Sequence, residues 1–177
     1  ISLSGLWSKE VQVLIYPTTQ LFGIQCRLSA VDDLFQQSIA PLVNSLMKLD
    51  DSYWGLNTAS FHKQAETTKR LNELLIHQLE QLKKPDTRKQ HLFSMMYQTK
   101  GNLSIDEYAR QAFWSSRQIN RYFKQRFGLP PKVYCNILKC VASFKHLKKG
   151  QLYPEQNYFD RSHFTKAIKK HTSHTPK

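Results

Sequence analysis

Cysteine and glycine are scarce in this chain of 177 residues. Its three cysteines, Cys26, Cys135 and Cys140, form neither a C-x-x-C pair nor an even set, so they predict no disulfide framework. Buried, reduced thiols in a cytoplasmic protein are the expected alternative. The six glycines are scattered singly, and the sequence contains no Gly-rich dinucleotide fingerprint, P-loop or G-x-S-x-G motif. We therefore expect neither enzymatic activity nor a cofactor.

Long apolar runs are also missing. No stretch approaches 18 consecutive apolar residues, so the sequence predicts no membrane-spanning helix, and no signal peptide is visible. The seven histidines include His171 and His174 at helical spacing, but no third ligand lies at a spacing suited to a metal ion. We expect a cytoplasmic chain with neither a metal site nor a membrane partner.

Acidic residues are scarce in the second half only. Residues 1–100 carry 11 Lys/Arg and 9 Asp/Glu, whereas residues 101–177 carry 15 Lys/Arg and 4 Asp/Glu. No acidic residue occurs between Gln111 and Glu155. Most of the formal net charge of +13 therefore belongs to the second half, which predicts a polyanionic partner for that half alone.

Residues 1–84 combine two predicted strands with helices. Apolar residues alternate along 11–15 and 22–28, on either side of a turn at 17–20, and a period of two is typical of strands. Two strands alone are marginally stable. Because the sequence also opens at Ile1 rather than Met, we expect the other strands of the sheet to lie outside it. Short helices are expected at Ala30–Gln37 and from Pro41 onward.

A longer helix is predicted at residues 58–83. Its apolar stripe, which includes Leu71, Leu75 and Leu79, is barely three heptads long. So short a stripe favours packing of this helix against the sheet. A dimer interface formed by the stripe is the open alternative. The polar segment Lys83–Arg88 contains a proline and is the predicted linker between domains at 1–84 and 88–177.

A pair of short helices is predicted at about residues 104–128. Ser104 and Glu107 predict a capping box, and Ser115 predicts the N-cap of the second helix. Gly128 suits the left-handed residue after that helix, and two prolines then prevent its continuation. The second helix has an apolar face and a basic, amide-rich face, which favours a helix-turn-helix. An ordinary helical hairpin with a solvated charged face is the alternative.

Two further helices are expected beyond Pro131. The first would run to Lys149, a length of roughly 27 Å at 1.5 Å per residue. Asp160 predicts the N-cap of the second, with Phe164 and Ile168 facing inward and basic side chains outside. This last helix would be the second half of another helix-turn-helix at about 151–172.

Two motifs resemble those of AraC/XylS-type bacterial transcription regulators. The segment S-S-R-Q-I-N-R-Y-F-K at 115–124, followed by F-G-L-P-P at 127–131, is similar to the first helix-turn-helix of that family. The segment Y-F-D-R-S-H-F at 158–164, followed by T-S-H-T-P at 172–176, is similar to the second. The resemblance covers about residues 88–177. The preceding residues look like the end of a sensor or dimerisation domain.

The resemblance implies a mainly α chain with a C-terminal seven-helix, double helix-turn-helix DNA-binding domain. This domain would follow the remnant, two strands plus helices, of an α+β or β-barrel-like sensor domain. Its two recognition helices would read adjacent major-groove segments. The implied base-contacting residues are Arg117, Gln118, Asn120, Arg121, Arg161, Ser162, His163, Thr165 and Lys166. The expected phosphate-contacting residues are Lys124, Arg126, Lys132, Lys145 and Lys169.

Double-stranded DNA is the expected partner, and the expected role is transcription regulation. A small-molecule effector on the sensor domain and a homodimer are open alternatives. An RNA-binding protein would present aromatic side chains to unstacked bases, whereas Tyr122, Phe123 and Phe127 fall largely on the predicted buried face. A protein-interaction module with incidental basicity is the remaining alternative.

Overall fold

The computed structural model describes residues 1–19, 21–35, 37–57, 60, 62–81, 86–150, 158 and 160–176. Within these residues the fold is mainly helical, with seven α-helices and one two-stranded sheet. The helices are α1 Leu28–Phe35, α2 Gln64–Glu80, α3 Thr87–Gln98, α4 Ile105–Gln111, α5 Ser116–Phe127, α6 Pro131–Leu147 and α7 Arg161–Thr172. Four of the seven, α4 to α7, lie in the basic half, residues 101–177. The first part of the predicted second helix-turn-helix, residues 151–157, lies outside the described residues.

The sheet is not where the sequence predicted it. Strand β1 (Ser2–Ser4) pairs antiparallel with β2 (Leu46–Lys48), with Leu3 opposite Met47. The predicted strands at 11–15 and 22–28 are therefore wrong, although the turn between them is present, since the Thr19 N–H donates to the Tyr16 carbonyl at 2.9 Å. The physical reason is that alternation alone forms no sheet. Among the described residues, these segments have no neighbouring strand with which to exchange backbone hydrogen bonds.

The helix predicted from Pro41 is also wrong. Only a single 3₁₀ turn forms, at Ala40–Leu42, and the chain then enters β2. Asn44 has a positive φ of 54°, which no right-handed helix accommodates. The other two helices predicted in this half are confirmed with shifted bounds, as α1 and α2. Of α2 only Leu71 is buried, while its Ile76 and Leu79 are exposed.

The main core joins both halves of the chain. Leu28 and Ile39 are buried in one cluster with the apolar faces of α3, α4 and α5. At its centre, the ring of Phe93 lies 5.7 Å from that of Phe123 and 6.0 Å from that of Phe127. Fully burying a side chain of this size contributes roughly 1.5–3 kcal/mol. The N-terminal residues Leu28 and Ile39 thus pack directly against α3, α4 and α5.

A second, smaller cluster holds α7 against α6. It consists of Cys140, Phe164 and Ile168, with Leu147 and Tyr158 at its edge. Burial raises the pKa of the Cys140 thiol. Burial likewise raises the pKa of Cys135, in the main core, to about 11. Both thiols are free, and at neutral pH they remain protonated and act as small apolar groups.

Gly128 permits a close approach between the N-terminal residues and the end of α5. It ends α5 with a left-handed φ of 74°, and a β-carbon there would lie 2.6 Å from the carbonyl oxygen of Ala40. Any other residue would meet both the left-handed backbone cost and this steric clash. Gly150 has the same φ of 74°, but a β-carbon there would meet nothing within 4 Å.

We expect Gly128→Ala to lower the free energy of unfolding by more than the roughly 1–2 kcal/mol of left-handed backbone strain. Gly150→Ala is the matched control and should cost no more than that strain, because its surroundings are open. Chemical denaturation of both variants measures the difference. Equal losses in the two variants would show that the contact with Ala40 does not constrain the fold.

Candidate nucleic-acid interface

Capping interactions fix where α4 and α5, the helices of the predicted first helix-turn-helix, begin. The Ser104 hydroxyl accepts from the Glu107 N–H while the Glu107 carboxylate accepts from the Ser104 N–H, as the sequence predicted. Ser115 and Gln118 form a second capping box at the start of α5, with N···O distances of 3.1 and 2.8 Å. This second box was not predicted, although the S-x-x-Q spacing is its signature. Its consequence is that the amide oxygen of Gln118 is already engaged.

Helix α5 presents two different faces. Ile119, Phe123 and Phe127 are buried, with exposures of 0–1%. Arg117 and Arg121 are exposed four residues apart, so their guanidinium groups share one edge of the helix. The predicted apolar face of α5 is confirmed. Its basic edge is open to a partner.

Three more polar residues of the predicted α5 site differ from one another in exposure and contacts. Gln118 is exposed and Asn120 is half-buried. The side-chain amide of Asn120 donates to the Ser116 carbonyl at 2.8 Å. Lys124 is exposed, one turn beyond Asn120. Of these three residues, only Lys124 is cationic, and its exposure leaves it accessible to a phosphate.

Arg126 has an acidic partner from the N-terminal half. Its Nε donates to the carboxylate of Asp32, on α1. The same carboxylate accepts from Lys89 of α3 at 2.8 Å and from the hydroxyl of Tyr122 of α5 at 3.0 Å. The Asp32 side chain is only 6% exposed. A phosphate would therefore compete with Asp32 for Arg126, and the predicted phosphate contact of Arg126 stays a prediction.

The charge on Asp32 is maintained by its donors. Burial acts to raise the pKa of Asp32, but hydrogen bonds from Lys89, Tyr122 and Arg126 outweigh it and hold the pKa below its usual value. Burial, reinforced by the Asp32 charge, raises the pKa of the Tyr122 phenol. Tyr122 therefore remains a hydrogen-bond donor at any physiological pH.

The last helix, α7, has the N-cap that the sequence predicted. The Asp160 carboxylate accepts from the His163 N–H at 2.6 Å. Phe164 and Ile168 are buried as expected, at 0% and 3% exposure. The predicted base-contacting side chains of α7 lie outside this buried face. Thr165 is half-buried, and the other four are exposed: Arg161, Ser162, His163 and Lys166.

The other predicted phosphate ligands are all exposed. Lys132 and Lys145 lie at opposite ends of α6, and Lys169 lies in the last turn of α7. Exposed cations thus occur on α5, α6 and α7, and a polyanionic partner requires such cations. The base and phosphate roles of these residues stay predictions.

Sequence reasoning missed Lys89 and Asp32. Neither belongs to a motif, and Asp32 is 94 residues from Arg126 in the chain.

Within the described residues no group of three or more His, Cys, Asp or Glu could hold a metal ion. Over the same residues, none of the helices has both the length and the apolar character needed to cross a membrane. Comparisons with protein-family models, curated proteins and solved structures found no match.

We expect Asp32→Asn to lower the free energy of unfolding by about 2 kcal/mol at neutral pH, the magnitude of hydrogen bonds to a charged group. Because the pKa of Asp32 is lowered in the fold, its stabilisation is present above the carboxyl's unfolded pKa of about 3.9. It is lost as the pH falls through the lower folded value. Denaturation of both proteins from pH 7 to pH 3 should show their difference shrinking below about pH 4.

Asp33→Asn is the matched control, because burial and the neighbouring Asp32 charge raise the pKa of Asp33. The charge of Asp33 is therefore disfavoured in the fold, and its removal should leave stability unchanged or slightly higher at pH 7. If both variants lose the same stability, the specific network around Asp32 does not hold α1 in place.

Proposed function

We propose that this chain is a sequence-specific DNA-binding regulator of transcription of the AraC/XylS type, acting in the cytoplasm. The observation that carries the proposal is the surface of α5. Arg117 and Arg121 are exposed on one edge, while the aromatic side chains Phe123 and Phe127 are buried. Arginine suits the O6 and N7 atoms of guanine in the major groove.

The connection between α4 and α5 supports the same proposal. Two short helices joined by a tight turn, with the second one basic, are typical of a helix-turn-helix. Ser116 and Asp106 are hydrogen-bonded through their side chains, which ties the first turn of α5 to the first turn of α4. In this proposal α5 enters one major-groove segment and α7 an adjacent one.

The packing of the aromatic side chains of α5 against one another disfavours the RNA-binding alternative for that helix. Tyr122, Phe123 and Phe127 contact one another with ring centroids 5.3–5.9 Å apart. Rings engaged in this way are not available for stacking on unpaired bases. Competition between random duplex DNA and single-stranded RNA distinguishes the alternatives, and preference for RNA would contradict the proposal.

Selection of bound duplexes from a random pool tests the proposal directly. We expect a recovered sequence with two conserved segments, their centres separated by about one helical turn of DNA, 10–10.5 base pairs. A pool that shows no enrichment over its starting composition would contradict sequence-specific binding. An enriched single segment would contradict the role of α7.

We expect Arg121→Ala to weaken binding to the selected duplex by about 10-fold or more while changing binding to unrelated duplex much less. The reason is that a bidentate contact to a base contributes roughly 1–3 kcal/mol of discrimination. Titration of both duplexes at one salt concentration measures the two effects. Equal losses on both would remove the base-reading role of Arg121.

Lys124→Ala is the matched comparison, because Lys124 is also exposed on α5 but is proposed to contact phosphate. It should weaken binding to both duplexes by similar factors. The slope of log affinity against log salt should also become shallower by about 0.9, the value for one phosphate contact. An unchanged slope would place Lys124 outside the interface.

A further inference from the structure

An unusual residue, Phe113, occupies the turn between α4 and α5. Helix α4 ends in a Schellman motif, in which the Trp114 N–H donates to the Ala109 carbonyl at 3.0 Å. Phe113 takes the left-handed position of that motif, with a φ of 54°. Glycine is usual at this position, because a β-carbon crowds the backbone when φ is positive. A bulky aromatic residue here is therefore strained.

Packing does not explain why phenylalanine stands at this position. The side chain of Phe113 is 84% exposed, the highest value among the large apolar side chains of the described residues. The next aromatic residue behaves differently: Trp114 packs against the main core, and its ring lies 5.4 Å from that of Tyr122. Phe113 thus combines backbone strain with an exposed apolar ring, and both disfavour it in the isolated chain.

The surroundings of Phe113 indicate the kind of partner that would cover it. Phe113 lies two residues before the N-cap of α5, so its Cα is at most about 7.6 Å from that of Ser115. The exposed side chains within four residues of Phe113 are all cationic or polar: Arg110, Gln111, Ser115 and Arg117. An apolar protein surface would not match the polar and cationic residues around Phe113. Duplex DNA would match them, because it is a polyanion that also displays apolar groups on its base edges.

We propose that Phe113 contacts the 5-methyl group of a thymine in the major groove, next to the base pairs read by α5. Thymine is the only base that displays a methyl group there, and apolar side chains, phenylalanine among them, recognise it. This proposal rests on the proposed function, because it needs α5 to lie in the groove. It adds a sequence preference that hydrogen-bonding side chains alone would not supply.

The test replaces each thymine of the selected duplex, one at a time, by deoxyuridine, which lacks only the methyl group. Wild-type protein should lose about fourfold in affinity at one position, the factor expected for exposing one methyl-sized group. Phe113→Gly should bind the thymine duplex about fourfold more weakly and should not distinguish the two duplexes at that position. Phe113→Leu, which keeps an apolar side chain, should retain the discrimination.

Stability measurements separate this role from a structural one. Phe113→Gly removes the strained side chain from a left-handed position, so its melting temperature should be equal to or above that of the wild type. Ile76→Ala serves as a control, because Ile76 is also an exposed apolar residue, at 56%, but lies on α2. It should leave the affinity for both duplexes unchanged.

Each other outcome overturns the inference. If no deoxyuridine substitution affects the wild type, or if Phe113→Gly loses affinity equally for both duplexes, the ring does not contact a thymine methyl group. If Phe113→Gly binds both duplexes like the wild type but fails to support transcription, the ring faces a protein instead. If the wild type selects no duplex at all, the inference fails together with the proposed function.

Discussion

The buried carboxylate of Asp32 determines how the two halves of the chain fit together. An ionised carboxylate of this low exposure is tolerated only when its oxygens are fully engaged. Here the donors come from α3 and α5, through Lys89, Tyr122 and Arg126. Because each donor has a fixed place on its own helix, the network specifies one arrangement of α1 on α3 and α5. Apolar packing alone would tolerate more than one.

Backbone contacts reinforce that arrangement at the end of α5. The Ile39 N–H donates to the Arg126 carbonyl at 2.9 Å, and the Ser38 hydroxyl donates to the Gln125 carbonyl. These carbonyls lie in the last turn of α5, where a helix has no internal donors for them. The N-terminal residues therefore anchor the C-terminal end of α5. The opposite end, with Arg117 and Arg121, is left open for a partner.

Local signals explain why much of the basic half could be predicted from sequence. The Ser104 capping box, the N-caps Ser115 and Asp160, and Gly128 each depend on residues within one helical turn. The exposed basic edge of α5 followed from the same pattern, because fixing the apolar face of a helix also fixes its polar face.

Longer-range contacts explain most of what the sequence did not reveal. The alternation at 11–15 and 22–28 is typical of strands, but pairing requires a neighbour, and the strands that pair lie at the start of the chain and just before residue 50. The contact of Asp32 with Arg126 spans 94 residues and belongs to no motif. The left-handed backbone at Phe113 is local, yet it had no signal because glycine is absent there.

If α5 lies in the major groove of duplex DNA, as proposed, bound protein should protect guanine N7 from methylation by dimethyl sulfate. N7 faces the major groove, so a helix seated there shields it. Bound wild-type protein should protect guanines within the segment proposed to hold α5, and Arg121→Ala should restore reactivity at one of them. Unchanged reactivity of every guanine N7 in a fully bound duplex would contradict the proposed position of α5 in the groove.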